Sequence, residues 1–131
     1  GYGNAYPKIF GDRKGTELSK CLDKARGGYF TRVPRRYPRG AWFTYDDRSC
    51  DYGCQTQEYI YWALTSLLGA QKDPERCRDI SHEWRLCTPK ALKRGDPGIY
   101  ALLKNPKYRF PKVLPDGTYR KNRTKKKPGG S

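Results

Sequence analysis

Four arginines fall within eight residues in Arg32-Val33-Pro34-Arg35-Arg36-Tyr37-Pro38-Arg39, and Trp42 follows closely. A guanidinium fork matches sulfate, phosphate or carboxylate two bonds at a time, and Tyr or Trp faces stack on sugars or bases. Arg32, Arg35, Arg36 and Arg39 with Tyr37 and Trp42 are therefore expected to form an ordered polyanion-binding patch. A second basic run, Arg120-Lys121-Asn122-Arg123-Thr124-Lys125-Lys126-Lys127, has almost no apolar content. It predicts a mobile arm in which Arg120, Lys121, Arg123, Lys125, Lys126 and Lys127 are open to any polyanion. Asn122-Arg123-Thr124 is also an N-glycosylation sequon.

Other residue types carry weaker chemistry. Asp46, Asp47 and Asp51 cluster ahead of Glu58, and paired carboxylates serve glycoside hydrolysis or calcium binding. The spacing is irregular for a calcium loop, so these acids are expected to cap a helix or pair with Arg48. His82 is the sole histidine, which excludes two-histidine chemistry. His82-Glu83 lacks the second histidine one turn on that a zinc protease needs. A Cys87–His82 nucleophile pair would require a reduced thiol. No catalytic residue, metal site or cofactor is assigned, and the chain is expected not to be an enzyme.

The five cysteines are Cys21, Cys50, Cys54, Cys77 and Cys87. Two bridges with one left over allow fifteen arrangements. The C-x3-C and C-x9-C spacings do not fit a zinc knuckle, so Cys50, Cys54, Cys77 and Cys87 are expected in disulfides tying the entry loop before the buried helix to the second helix, near 74–86. Cys21 is left as a free thiol or as the link in a disulfide-bonded homodimer.

The elements that must position these groups follow from the charge distribution. The chain has 131 residues, formal charge +15 and pI near 9.8. Residues 1–48 carry 11 basic and 5 acidic side chains, 49–103 carry 7 of each, and 104–131 carry 10 and 1. A neutral middle between basic flanks predicts a core at the centre with cations displayed from its ends. Hydrophobic residues are 35% of the chain, a thin core that disulfides would supplement. No apolar run is long enough to span a membrane. Met is absent and residue 1 is Gly1, which predicts that an N-terminal segment, most commonly a secretory signal, has been removed.

Gln57 to Leu68 is apolar on nearly every face and predicts a buried helix, with Thr56 as cap and Gly69 as stop. Asp73-Pro74, Thr88-Pro89 and Asp96-Pro97 each pair a capping residue with proline at the first helical position. They predict helices near 74–86, 89–94 and 97–104, the first presenting Cys77, Ile80 and Trp84 as one stripe. A further short helix is expected over 16–26. The β-prone runs 29–33 and 41–45 predict a short hairpin or an extended segment, and Leu114-Pro115-Asp116-Gly117 a turn. The expected fold is mainly α (α+β): one disulfide-stabilised helical domain over 1–119 and a flexible basic tail over 120–131.

The succession Cys54, Tyr61-Trp62-Ala63-Leu64-Thr65, Glu83-Trp84, Asp96-Pro97, Ile99-Tyr100-Ala101-Leu102 and Leu114-Pro115-Asp116-Gly117-Thr118-Tyr119 resembles small basic secreted proteins of marine-invertebrate extracellular and skeletal matrices, of the scleritin-like kind. The resemblance covers roughly residues 50–120 and brings no catalytic residue with it. It implies a structural, extracellular protein with a place in biomineralization.

The expected function is that of a secreted, non-enzymatic matrix protein binding acidic polysaccharides, acidic matrix proteins or mineral surfaces, without integral membrane association. A cationic host-defence or toxin-like effector calls for an amphipathic basic helix, and the basic runs here are rich in proline. An intracellular nucleic-acid binder would suit the basic arms but not formed disulfides. A polysaccharide-degrading enzyme would need the Asp46–Glu58 carboxylates in one cleft.

Overall fold

The computed structural model describes Ile9, Gly11 and residues 15–113. Five α-helices lie among the described residues: α1 (Glu17–Arg26), α2 (Tyr52–Leu67), α3 (Pro74–Asp79), α4 (Pro89–Gly95) and α5 (Pro97–Lys104), followed by a 3-10 turn over Pro106–Tyr108. Side-chain caps start them. Thr16 accepts from Ser19 N, Asp73 from Glu75 N, Thr88 from Ala91 N and Asp96 from Ile99 N, and proline opens α3, α4 and α5. Each cap satisfies one of the N–H groups that a helix start leaves without an internal partner.

Two helices differ from expectation. α2 begins at Tyr52 with Asp51 as its cap, accepting from Cys54 N, ahead of the predicted start. Thr56 lies inside the helix, where its hydroxyl donates back to Tyr52 O. α3 ends at Asp79, so Cys77, Ile80 and Trp84 do not share one helical stripe. Ile80 O accepts from both Glu83 N and Trp84 N, and this tight turn carries Trp84 out of the helix and into the core.

Residues 29–45 form no strand. Phe43 instead makes an isolated antiparallel bridge with Trp84, flanked by Thr44 N to Glu83 O at 2.8 Å and Arg85 N to Trp42 O at 3.2 Å. The partner of 42–44 is thus the turn after α3 rather than 29–33. The predicted turn at 114–117 and the basic tail at 120–131 lie outside the described residues.

α2 packs against α1, α4 and α5. An aromatic cluster joins these helices to the irregular segment: Phe43, Tyr59 and Trp84 are all fully buried, with ring centroids 5.7–6.2 Å apart in tilted and edge-on pairs. The Trp84 indole N–H is shared between Ser66 Oγ and Leu86 O, both at 2.9 Å. Such rings supply large apolar area per residue, which is how a chain low in aliphatic content closes a core.

Two disulfides form, Cys50–Cys54 and Cys77–Cys87, and Cys21 is free. The expected cross-link from the entry loop to the second helix, here α3, is therefore corrected: both bridges are local. Cys50 sits just ahead of the α2 cap with Cys54 in the first turn, at a Cα separation of 5.2 Å; Cys77 and Cys87 close the turn after α3 at 5.9 Å. Both spacings suit a disulfide. No helix among the described residues is long and apolar enough to cross a membrane.

Candidate functional site

The segment from Tyr29 to Tyr45 lacks regular structure, yet polar and steric anchors fix it to the helices. The first anchor is Arg26, in the last turn of α1 and wholly buried. Its guanidinium donates to Gln55 Oε1 on α2, to Phe30 O at 2.9 Å and to Asp23 Oδ1 at 3.5 Å. It also lies over the Phe30 and Tyr52 rings, 5.3 and 5.4 Å from their centroids. Burial pulls its pKa below the ordinary arginine value, and Tyr37, Asp23 and Tyr52 oppose that pull. The Phe30 carbonyl, and with it the start of the basic segment, is held by a group that cannot leave without stranding several partners.

The second anchor is Pro38 on Gly27. Gly27 ends α1 in the left-handed region at φ 83°, and a Cβ there would come within 2.9 Å of the Pro38 ring. Glycine is required both for the turn and for the approach of the loop. The third is Tyr37, whose hydroxyl donates to Tyr45 O and whose ring meets Phe30 edge-on at 6.1 Å. Burial, countered by Arg26 and reinforced by Asp46 and Glu83, pushes this hydroxyl up to about 12. It remains a neutral donor.

The fourth anchor is Trp42. Its indole N–H donates to Asp96 Oδ2 at 2.9 Å, and Ala25 O accepts from Trp42 N and Phe43 N at 3.0 and 3.3 Å. Asp96 is buried and also accepts from Tyr59 Oη at 2.6 Å and Ile99 N at 3.3 Å. Burial raises its pKa above the ordinary carboxylate value; the hydrogen bonds from Tyr59, Trp42 and Ile99 and the charge of Lys24 only partly offset this. One carboxylate thus joins the cap of α5, the middle of α2 and the end of the irregular segment.

Between these anchors Arg32, Arg35, Arg36 and Arg39 are all exposed. Among the described residues, none of the four has a hydrogen bond or ion pair. Tyr37 and Trp42 are half-buried with their polar atoms turned to Tyr45 and Asp96, which ties the segment that carries the arginines to the rest of the fold. The exposed ring nearest in sequence is Tyr29, 45% accessible and edge-on to Tyr52 at 5.3 Å. Sequence reasoning missed Tyr29, Arg26 and Asp96. Arg26 reads as an ordinary basic residue in a last helical turn, and Asp96 as a cap alone. Arg120, Lys121, Arg123, Lys125, Lys126 and Lys127 lie outside the described residues.

The remaining candidates are dispersed. Asp51 caps α2, Asp47 accepts from Ser49 N and Oγ, Asp46 is exposed and Glu58 is buried on α2. His82 is exposed in a turn rather than on a helix, with Nε2 at 3.2 Å from Glu83 Oε2, and the Cys87 sulfur is committed to its disulfide. Among the described residues no group of three His, Cys, Asp or Glu side chains is placed to hold a metal ion. Cys21 is half-buried against Gly98, and burial, with the negative charges of Asp96 and Glu17, pushes its thiol up to about 12. A thiol so rarely ionised is a slow partner in disulfide exchange.

Comparison with protein-family models, with curated proteins and with solved structures finds no match to this chain.

Proposed function

We propose that the chain is a non-enzymatic binder of acidic polymers that acts outside the cell, as a component of an extracellular matrix. Arg32, Arg35, Arg36 and Arg39 would form the preorganised contact surface. One observation supports the reading: four exposed guanidiniums, without partners among the described residues, project from a segment pinned by Arg26, Gly27, Tyr37 and Trp42. The backbone between these arginines is fixed at folding, so binding has only their side-chain rotamers left to order. Tyr29 adds an aromatic face three residues ahead of Arg32, suited to stacking on a sugar ring. Sulfated or carboxylated polysaccharides, acidic matrix proteins and mineral-bound anions share the chemistry that guanidinium forks recognise. The basic residues from Arg120 to Lys127 would add charge-driven reach.

The test is a salt series of binding to heparin, polyaspartate and duplex DNA. It compares the full chain, a variant with serine at 32, 35, 36 and 39, and a chain ending at Tyr119. Replacing the four arginines should flatten the DNA salt slope by about 3–4, the counterions released by four contacts. Removing surface charges away from the anchors should shift stability by less than about 0.5 kcal/mol. If the serine variant binds as the parent does, the patch is not the binding surface.

A further inference from the structure

The cations of this chain are sorted by kind. Lysine and arginine are equally common over the whole sequence, fourteen of each, yet no lysine falls between Lys24 and Lys72. Every cation in that stretch is an arginine. Arg26 has an internal reason to be one: it is buried, and its guanidinium serves Gln55, Asp23 and Phe30 O at once, which suits a planar fork of donors. Arg32, Arg35, Arg36 and Arg39 have no such reason, being exposed and without partners among the described residues. Lysine would carry the same charge there. The choice of arginine therefore concerns what these groups meet outside the fold.

The chain beyond α5 is built the other way, with seven lysines and three arginines over 104–131. An ammonium is a compact, strongly hydrated charge, whereas a guanidinium is planar, weakly hydrated and donates in a fixed geometry. The undescribed residues hold two carboxylate side chains, Asp12 and Asp116, among nine lysines and arginines. Two such charges are too few to neutralise four guanidiniums from within the chain.

Spacing sets the kind of polymer. From Arg32 to Arg39 is seven peptide steps, at most about 25 Å of backbone. The arginines face outward at 32, at 35 and 36 together, and at 39, with half-buried Val33, Pro34 and Tyr37 between them. Engaging all four takes a chain that bears an anion at least every ~8 Å, a third of that span. The adjacent pair Arg35-Arg36 bears on the kind of anion. One guanidinium fork engages both oxygens of a carboxylate. A sulfate ester has three terminal oxygens, so it accepts one fork and still offers an oxygen to a second guanidinium. It also spreads its charge and holds water weakly, as a guanidinium does, so little hydration is lost when the two pair.

We propose that the arginine segment recognises a sulfated polysaccharide through its sulfate esters, in preference to carboxylated polymers. This rests on the reading of Arg32, Arg35, Arg36 and Arg39 as the contact surface and adds the anion they select. The two disulfides favour an oxidising compartment, where a tetrahedral anion of this kind is met on polysaccharides rather than as the phosphodiester of a nucleic acid.

The experiment measures binding of the full chain to dextran sulfate and to carboxymethyl dextran, matched in length and in charge per glucose, at physiological ionic strength. The parent should bind dextran sulfate at least about tenfold more tightly. Arg32→Lys/Arg35→Lys/Arg36→Lys/Arg39→Lys keeps the charge at four exposed positions and should bring the two affinities within about twofold of each other. The serine variant at the same positions should bind both dextrans more weakly than the parent and without preference.

Equal binding of the two dextrans by the parent overturns the proposal, and that comparison needs no variant to fold. So does a lysine variant that keeps the tenfold preference. Duplex DNA that binds the parent more tightly than dextran sulfate at equal charge concentration also overturns it, by assigning the segment to phosphodiesters. If the serine variant binds both dextrans as the parent does, the contact surface is wrong and this inference falls with it. If that variant loses affinity for both while the parent treats them alike, the surface stands and the selection of sulfate alone fails.

Discussion

The helical middle and the arginine segment reach order by opposite routes. In α2 and its neighbours, backbone groups pair locally and buried aromatics supply the free energy, as at Tyr59 and Trp84. Across 29–45 the backbone pairs little with itself. It is fixed by a few polar groups that reach in from the helices, Arg26 to Phe30 O and Asp96 to the Trp42 indole. Such anchors form no repeating ladder, so each bears a larger share of the order than one hydrogen bond in α2 does. The contrast predicts that single polar substitutions weigh most heavily where regular structure is least.

Arg26→Met tests this most severely. It removes the charge but leaves Gln55 Oε1 and Phe30 O without their donor, and should cost about 3 kcal/mol in urea unfolding. It should also weaken heparin binding although no exposed arginine is altered. An unfolding curve matching the parent's would mean that the segment is ordered without its buried cation.

The disulfides come next, because they act on the opposite region. Cys77→Ala/Cys87→Ala, with a sequence separation of 10, should lose about 3 kcal/mol, and Cys50→Ala/Cys54→Ala, with a separation of 4, about 2 kcal/mol, from the freedom returned to the unfolded chain. Neither pair should alter the salt slope of heparin binding. A changed slope would show that the helical middle and the arginines are coupled more closely than their separate anchoring implies.

Gly27→Ala follows, at about 1–2 kcal/mol, from the left-handed φ and the Cβ contact with Pro38. Its diagnostic feature is faster trypsin cleavage within 32–39, seen before global unfolding. Uniform cleavage across the chain would place the effect in α1 instead.

The smallest expected effect is a pH dependence at Asp96. Burial holds its folded pKa above the ordinary carboxylate value, so the native protein takes up the proton first as pH falls. The buried charge costs stability above the folded pKa, and that cost is relieved between the folded pKa and the unfolded value. Thermal melts should therefore show the parent losing less stability than Asp96→Asn as pH drops from neutral toward 4. Parallel curves would indicate that the hydrogen bonds from Tyr59, Trp42 and Ile99 fully compensate the burial.

What was legible in the sequence follows the same division. Thr16, Asp73, Thr88 and Asp96 could be read as helix starts because capping depends on neighbours two or three residues away. The end of α3 could not, since Ile80 turns out of the helix to deliver Trp84 to Phe43. The four arginines are legible as a cluster, but the buried partners that hold Tyr37 and Trp42 beside them are not. Trp42 meets Asp96 across 54 residues and Arg26 meets Gln55 across 29, and no local pattern announces such pairs. The bridges were misjudged for a related reason: four cysteines in two spaced pairs fit local and crossed connectivity equally well on paper.

The locality of the bridges carries a consequence for how the chain comes apart. Neither closed loop includes residues 32–39, where a trypsin-like protease meets four arginines in succession. A single cut there leaves no covalent tie between the N-terminal piece with α1 and everything that follows. The two fragments stay together only as long as α1 keeps its grip on α2 and α5, so denaturant would separate them without a reducing agent. A nick between Cys77 and Cys87, by contrast, opens a loop whose ends remain joined. Fragment maps made with and without reductant would thus sort cleavage sites by region from gel mobility alone.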